Sequence, residues 1–417
     1  MFGNYLRVAI RNLLNHRLYS AINIVGLAVG LAACILISLF VRDELSYDRQ
    51  WAHADSLHRL NTTFAIPGRE PFVTVVAQGP AKAALMDYFS EDIEAATRFT
   101  NFDAVVTYGD RTFNESIHFT DTETAAMFDL QVIDGDLSQA LADNASLAVN
   151  RSFAIKHFGT EKAVGEVVSF NLYEIQRDYR IGAVFEDLPH NTVLDFQALA
   201  MIDEGDWVSR PFMFTQWFSV NNTVFFKLRD GASVNTINTR LDEFANHYIQ
   251  IPHGTFSAEE VNASDFVTFS TQPITEIQLN PRGMGEMKPT GDKRTVAIFS
   301  AIAGLILFIA CINFMNLSTS KATQRAREVA LRKVMGARRG QLVTQFLGES
   351  ILLAMIGLLL GLVIVELALP SYSEFLAKQL DLSYTDGVTL GILTALVAAV
   401  GLLGGVYPAL VRSEEHT

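Results

Sequence analysis

The chain has 417 residues, 49% of them hydrophobic, and a formal net charge of −13 at pH 7. Its mean hydropathy is positive, where a soluble domain of this size would lie near or below zero, and so acidic a chain is not expected to have a nucleic-acid partner. Cys34 and Cys311 both fall inside apolar runs, so no disulfide framework is readable.

Residues 1–19 read "MFGNYLRVAIRNLLNHRLY". Phe2, Tyr5, Leu6, Ala9, Ile10, Leu13 and Leu14 recur at helical spacing, and Arg7, Arg11 and Arg17 fall mostly elsewhere on the wheel. That pattern predicts a cytoplasmic amphipathic helix lying against membrane lipids. Residues 20–41 follow as a first run long enough to cross a bilayer, which takes roughly 20 apolar residues. Charged "VRDE" follows it instead of a small-residue cleavage site, so the run is read as a retained helix, not a signal peptide.

Residues 42–294 carry mixed α/β signals. "LHRLNTTFAI" reads as a strand and "GPAKAALMDYF" as a helix. "DAVVTYGDRTFNESIHF" alternates around Gly109-Asp110, a hairpin signal. "DTETAAMFDL" reads as a helix opening on an Asp cap, and "RSFAIKHFG" as a short helix stopped at Gly159. "RDYRIGAVFEDLP" is a strand, and "NNTVFFKLRDG" with "SVNTINTRLDEFANHYI" reads strand, turn, helix. The segment is long enough for two subdomains.

Three more spans follow, at 296–317, 345–369 and 389–410. Between the first two of these lies the basic segment 320–343, with Lys321, Arg325, Arg327, Arg332, Lys333, Arg338 and Arg339 against Glu328. The loop 370–388 is acidic, with Glu374, Asp381 and Asp386 against Lys378. Basic loops stay in the cytoplasm. Residues 1–19 and 320–343 are therefore expected inside, 42–294 and 370–388 outside, and both termini inside. Segment 42–294 holds 37 acidic and 20 basic residues, a net −17, and the remainder is +4. The acidity of the chain thus belongs to the exported segment.

No G-x-x-x-x-G-K-[ST], H-E-x-x-H, C-x-x-C or G-x-S-x-G occurs in the sequence. The nine His residues are scattered. No catalytic, cofactor or metal residue is assigned, no cofactor is expected in this chain, and it is not read as an enzyme. Gly26 with Gly30, and Gly357 with Gly361, form G-x-x-x-G pairs that let helix backbones approach closely. The bland alternative is that Gly is simply common in membrane helices. Glu349 and Glu366 lie near the two ends of the third span, where each can snorkel or pair. Four spans with so few buried charges make a poor pore.

The basic segment "REVALRKVMGARRGQL" reads as a capped amphipathic helix. Glu328 and Arg332 form an i, i+4 pair, Ala326, Val329, Ala330 and Val334 supply an apolar side, and Gly336 is a natural stop. The positive-inside rule explains its charge but not this stripe and cap. Such a helix suits docking into a groove of a soluble partner.

"REVALRKVMGARRGQLVTQFLGES" resembles the cytoplasmic signature of the MacB/FtsX-type ABC transporter permease family, matching at Arg327, Glu328, Ala330, Leu331, Arg332, Lys333, Val334, Gly336, Ala337 and Glu349. "NYLRVAIRNLLNHRLYSAINIVGLAVGLA" resembles the family's N-terminal helix and first span. "FDLQVIDGD", "AVNRSFAIKHFGTEKAVGEVVSF" and "YRIGAVFEDLPHNTVLDF" resemble its MacB-like periplasmic core domain, and "GGVYPAL" the end of its fourth span. The resemblance covers nearly the whole chain, with 200–290 matching only in general character.

The fold it implies is an α-helical membrane protein with four transmembrane helices and a large α/β (α+β) periplasmic domain inserted between helices 1 and 2, in the bacterial inner membrane. The function it implies is that of a permease subunit. A separate cytoplasmic ABC ATPase would dock on the coupling helix through Arg327, Glu328, Leu331, Arg332, Lys333, Val334, Gly336 and Ala337. ATP-driven motion would pass to the periplasmic domain for export or extraction of a lipophilic or peptide-like substrate. A second permease copy or paralogue, and a periplasmic adaptor, are the further partners implied. The alternatives are an FtsX-like anchor controlling periplasmic cell-wall hydrolases, for which the periplasmic segment is large, and a sensor without transport. Many relatives of this subtype are about twice as long, so the chain reads as the N-terminal half of a longer member. Residues 411–417 depart from the family pattern. One codon choice for Arg412 to Thr417 spells the start of a sequencing adapter, so 412–417 are read as adapter-derived, the alternative being a genuine short C-terminus.

Overall fold

The structure, a computed structural model, describes residues 17–173, 175–251, 262–324 and 339–414. They divide into two compact units, Ser46–Lys293 and the helices on either side of it.

Helix α1 (Arg17–Ser46) opens the described chain and is apolar through its centre. The inserted unit then begins. Its elements are β1 (Leu57–Phe64), β2 (Phe72–Thr74), β3 (Ala77–Gln78), α2 (Ala81–Tyr88), β4 (Ile93–Tyr108), β5 (Arg111–Thr120), α3 (Thr124–Met127), β6 (Val132–Gly135), α4 (Leu137–Ala140), β7 (Ser146–Asn150), α5 (Arg151–Phe158), β8 (Val167–Leu172), β9 (Ile175–Phe185), β10 (Ala198–Met201), α6 (Phe212–Thr215), β11 (Val220–Leu228), α7 (Val234–Thr239), α8 (Leu241–Tyr248), β12 (Val267–Pro273) and α9 (Ile274–Ile277). The main strand order is β12-β1-β11-β4-β5-β10-β7-β9-β6. β5/β10 and β7/β9 are parallel and the other ladders antiparallel.

Local chemistry accounts for the main turns. β4 and β5 are joined at Tyr108↔Arg111 by Gly109-Asp110, and Gly109 takes the φ of +57° that a two-residue hairpin demands. The Asn150 side chain accepts the Phe153 N–H at 2.8 Å to start α5, and Gly159 ends it at φ +77°. Two expectations need correction. Asp121 does not cap the helix after β5, which runs only from Thr124 to Met127. Its carboxylate instead accepts the Arg98 backbone N–H at 2.7 Å and the Arg98 guanidinium at 2.9 Å. The helix expected over 233–249 is two, broken at Arg240, whose guanidinium lies over the Tyr88 and Phe89 rings.

Period-two alternation gives the sheet two buried faces. Phe99, Phe225, Phe128 and Phe196 form an aromatic core on one, with neighbouring ring centroids 5.6–6.0 Å apart. Val224, Phe226 and Ala96 face a second core with Phe244, and Phe119 and Ile117 a third with Phe153 and Trp207.

After the inserted unit come α10 (Lys293–Gln324), α11 (Arg339–Leu376) and α12 (Gly387–Glu414). With α1 they supply four helices long and apolar enough to cross a membrane: Ser20–Ser46, Lys293–Thr319, Leu347–Leu376 and Gly387–Gly404.

Candidate functional site

The docking residues Arg327, Glu328, Leu331, Arg332, Lys333, Val334, Gly336 and Ala337 lie outside the described residues. The four singled-out glycines are described, and they serve two interfaces. A Cβ on Gly30 would stand 2.8 Å from the Ala310 Cβ of α10, and one on Gly26 3.4 Å from the Asn313 side chain. A Cβ on Gly357 would stand 3.0 Å from Leu27, and one on Gly361 3.0 Å from the Ala28 carbonyl oxygen. Thus α1 meets α10 along one pair and α11 along the other. Gly401 and Gly404 of α12 were not singled out from sequence. A Cβ on Gly401 would meet Ile351, and one on Gly404 would overlap the Phe314 ring. Their own small-residue spacing was the available signal.

An ion-pair cluster at one end of the helices was also not foreseen. Lys378 donates to Asp43 at 2.5 Å and approaches Glu44 at 3.0 Å, all three largely buried. Arg42 pairs with Asp386 at 2.8 Å and donates to Thr389 at 2.8 Å. Hydrogen bonds from Thr389 and Arg42 hold the Asp386 carboxyl at about 2. These bonds put the loop between α11 and α12 at the same end as Arg42, Asp43 and Glu44, where α1 runs into the inserted unit. Glu366 also has a partner, the Tyr384 hydroxyl at 2.5 Å.

In the inserted unit the chain is tied down at both of its ends. Asp48, fully buried, accepts from Trp51 Nε1 at 2.9 Å, Thr192 Oγ1 at 2.5 Å and Val193 N–H at 3.1 Å, and its own N–H donates to the Asn191 carbonyl at 2.9 Å. At the other end, Gly291 N–H donates to Gln278 O at 2.8 Å and Lys293 N–H to Leu279 O at 3.1 Å. Between them lies a buried polar knot. Arg59 donates through Nε to Asn61 at 3.0 Å, through Nη2 to Gln272 at 3.1 Å, and through both Nη atoms to Glu286, the Nη2 bond being 2.9 Å.

Next to the knot, His118 is buried and its Nδ1 has no partner among the described residues. Burial pushes its imidazole from 6.5 down to about 4. The folded state therefore prefers neutral His118. The stabilisation this represents is complete above pH 6.5 and is lost as pH falls through about 4, for a total of ~3 kcal/mol. Asp48 has the opposite dependence. Burial raises its carboxyl to about 6, so its ionisation costs stability as pH rises through that value. His118→Gln isolates the first contribution. Its melting temperature should fall less than the parent's between pH 6.5 and 4.5 in scanning calorimetry. Parallel curves would contradict the assignment.

A model of the MacB-like periplasmic core domain matches residues 20–244, and one of the FtsX-like permease C-terminal region matches residues 300–415. The chain belongs to the MacB/FtsX-type ABC permease family. It is 23% identical over 371 residues to the ABC transporter permease YknZ of Bacillus subtilis, covering 86% of this chain and 84% of that one. It is 25% identical over 273 residues to the macrolide export ATP-binding/permease protein MacB of Bdellovibrio bacteriovorus, covering 64% of this chain and 37% of the relative. The chain spans less than two thirds of the length of the MacB proteins it matches. The solved periplasmic region of MacB from Actinobacillus actinomycetemcomitans matches 52% of this chain and 90% of its own, at 13% identity and a TM-score of 0.35. This MacB/FtsX-type chain is an inner-membrane protein, with four membrane helices and a large α/β domain of periplasmic type after the first.

Proposed function

We propose that the chain is the permease subunit of an ABC transporter, transmitting ATP-driven motion from a separate cytoplasmic ATPase to its periplasmic domain. The work done there is export or extraction of a lipophilic or peptide-like substrate. The observation that carries this reading is the pinning at Asp48 and at Gly291–Lys293, the two points where the chain enters and leaves the domain. A domain hydrogen-bonded up to both connections can follow a displacement of either, whereas slack linkers would absorb it. In this reading the coupling helix carries the docking contacts of Arg327, Glu328, Leu331, Arg332, Lys333, Val334, Gly336 and Ala337. The G-x-x-x-G pairs keep α1 moving with α10 and α11. A second copy or paralogue completes the membrane unit, and a periplasmic adaptor takes over the substrate.

The reading requires both termini and residues 320–343 to be cytoplasmic, as the Lys and Arg distribution indicates. In a chain whose Cys34 and Cys311 are replaced, Ser138→Cys should react with an impermeant maleimide from the periplasmic side. Gln341→Cys should react only after the membrane is opened. Labelling of position 341 from outside would remove the coupling segment from the ATPase's compartment, and the proposed function with it.

A further inference from the structure

One face of the sheet changes character along three neighbouring strands. Phe225 on β11 and Phe99 on β4 are buried in the aromatic core. One pleat further along, the same face carries Thr223 and Asn101, with His118 of β5 paired to Asn101. Beyond these stand Asn221 and Ser116. Two segments wall this polar stretch: Asp195–Gln197 on one side and Gly285–Met287 on the other. They border a cleft of about 430 Å³, within the range of small-molecule sites. These strands are interior to the sheet, and Thr223 and His118 on this face are buried while Asn101, Ser116 and Gln197 are open to solvent.

The charges around the cleft are already matched. The Glu286 carboxylate is held by Arg59, and that of Glu115 by Lys156 at 2.5 Å and His157 at 2.9 Å. Asp195, at the rim, feels the positive charge of Lys288. Among the described lining residues there is no Lys or Arg, so an anion would find no counter-charge. A cation would find only the rim carboxylate. What remains is an array of amides and hydroxyls from Asn101, Gln197, Asn221, Ser116 and Thr223. Planar amides match vicinal hydroxyls as donor and acceptor together.

We propose that this cleft binds a neutral, hydroxyl-rich small molecule of the saccharide class. The walls follow closely on Thr192 and Val193, which close on Asp48, and precede Lys293, so the site lies near both chain connections of the domain. The proposal stands on binding alone and does not depend on the transport reading.

Calorimetric titration of the full chain in lipid nanodiscs tests it; a glycoside detergent would compete for the site. The probes are glucose and N-acetylglucosamine as neutral ligands, with glucosamine and glucose 6-phosphate as charged counterparts. Saturable binding of at least one neutral sugar is expected, with weaker binding of its charged counterparts. Asn101→Ala/Gln197→Ala, both exposed positions, should weaken it about tenfold or more, the equivalent of ~1.4 kcal/mol. Three results would overturn the proposal: no saturation by either neutral sugar, tighter binding of a charged probe, or an unchanged isotherm in the double variant.

Discussion

Arg59→Leu is expected to cost the protein roughly 3–5 kcal/mol of stability. The guanidinium is almost completely buried, at 2% exposure, and Glu286 is only 12% exposed. Removing the cation leaves a carboxylate that must either stay charged in a poorly solvated place or take up a proton. Asn61 and Gln272 lose a donor at the same time. For a domain of this size the loss corresponds to a fall of roughly 10 °C in melting temperature. Segment 283–287 should loosen as well, because Glu286 is its side-chain anchor, while the Met284 carbonyl accepts from the Thr74 hydroxyl at the end of β2 at 3.0 Å and from the Val75 N–H just after it at 3.0 Å. Arg59→Leu/Glu286→Leu removes both charges and should recover much of the loss. Calorimetry of the three proteins decides it. If Arg59→Leu melts within about 2 °C of the parent, the pair is not the anchor described here.

Gly30→Ile should be among the most damaging changes in the membrane unit. At Gly30 a Cβ already falls 2.8 Å from the Ala310 Cβ, closer than carbon atoms pack, and a branched side chain forces α1 and α10 apart. Overpacking of this kind costs about 1–3 kcal/mol, and little hydrophobic force opposes the separation inside lipid. Gly361→Ile should behave similarly through the Ala28 carbonyl, 3.0 Å from its Cβ position. Gly391→Ile is the control, since nothing lies within 4 Å of a Cβ there. Thermal unfolding in nanodiscs should rank Gly30 and Gly361 well below the parent and Gly391 close to it. Equal losses at all three would mean that the glycines matter only for their helices and not for packing.

How much of this was legible beforehand depended on the range of the interaction. The four long apolar runs and the Gly109-Asp110 hairpin are local patterns, and the sequence shows them directly. The Asn150 cap and the Gly159 stop of α5 are likewise short-range. The Asp121 cap failed because a longer-range partner won: Arg98, on the neighbouring strand, offers the carboxylate three N–H donors. The helix over 233–249 breaks for a similar reason, since Arg240 reaches the rings of α2 and its C-terminal neighbour. Of the candidate sites, the G-x-x-x-G pairs were visible as spacing, but which helix each pair meets was not. The Arg59–Glu286 knot joins residues 227 positions apart, and the cleft draws on β4, β5, β11 and two loops. No periodicity announces either.

In the proposed function, a cytoplasmic ATPase drives this chain through the segment around Glu328. The most direct measurement reconstitutes the chain in proteoliposomes with the ATPase that copurifies with it. It compares ATP hydrolysis with the conformational response of the periplasmic domain, read from a fluorophore at Ser138→Cys, for the parent and for Glu328→Lys. The parent is expected to show an ATP-dependent change. In Glu328→Lys, inserted in equal amount, hydrolysis should persist while the response falls about tenfold or more, the loss of one charge-assisted contact of ~1.5–3 kcal/mol. An undiminished response in Glu328→Lys, or no ATP-dependent change in the parent, would contradict it.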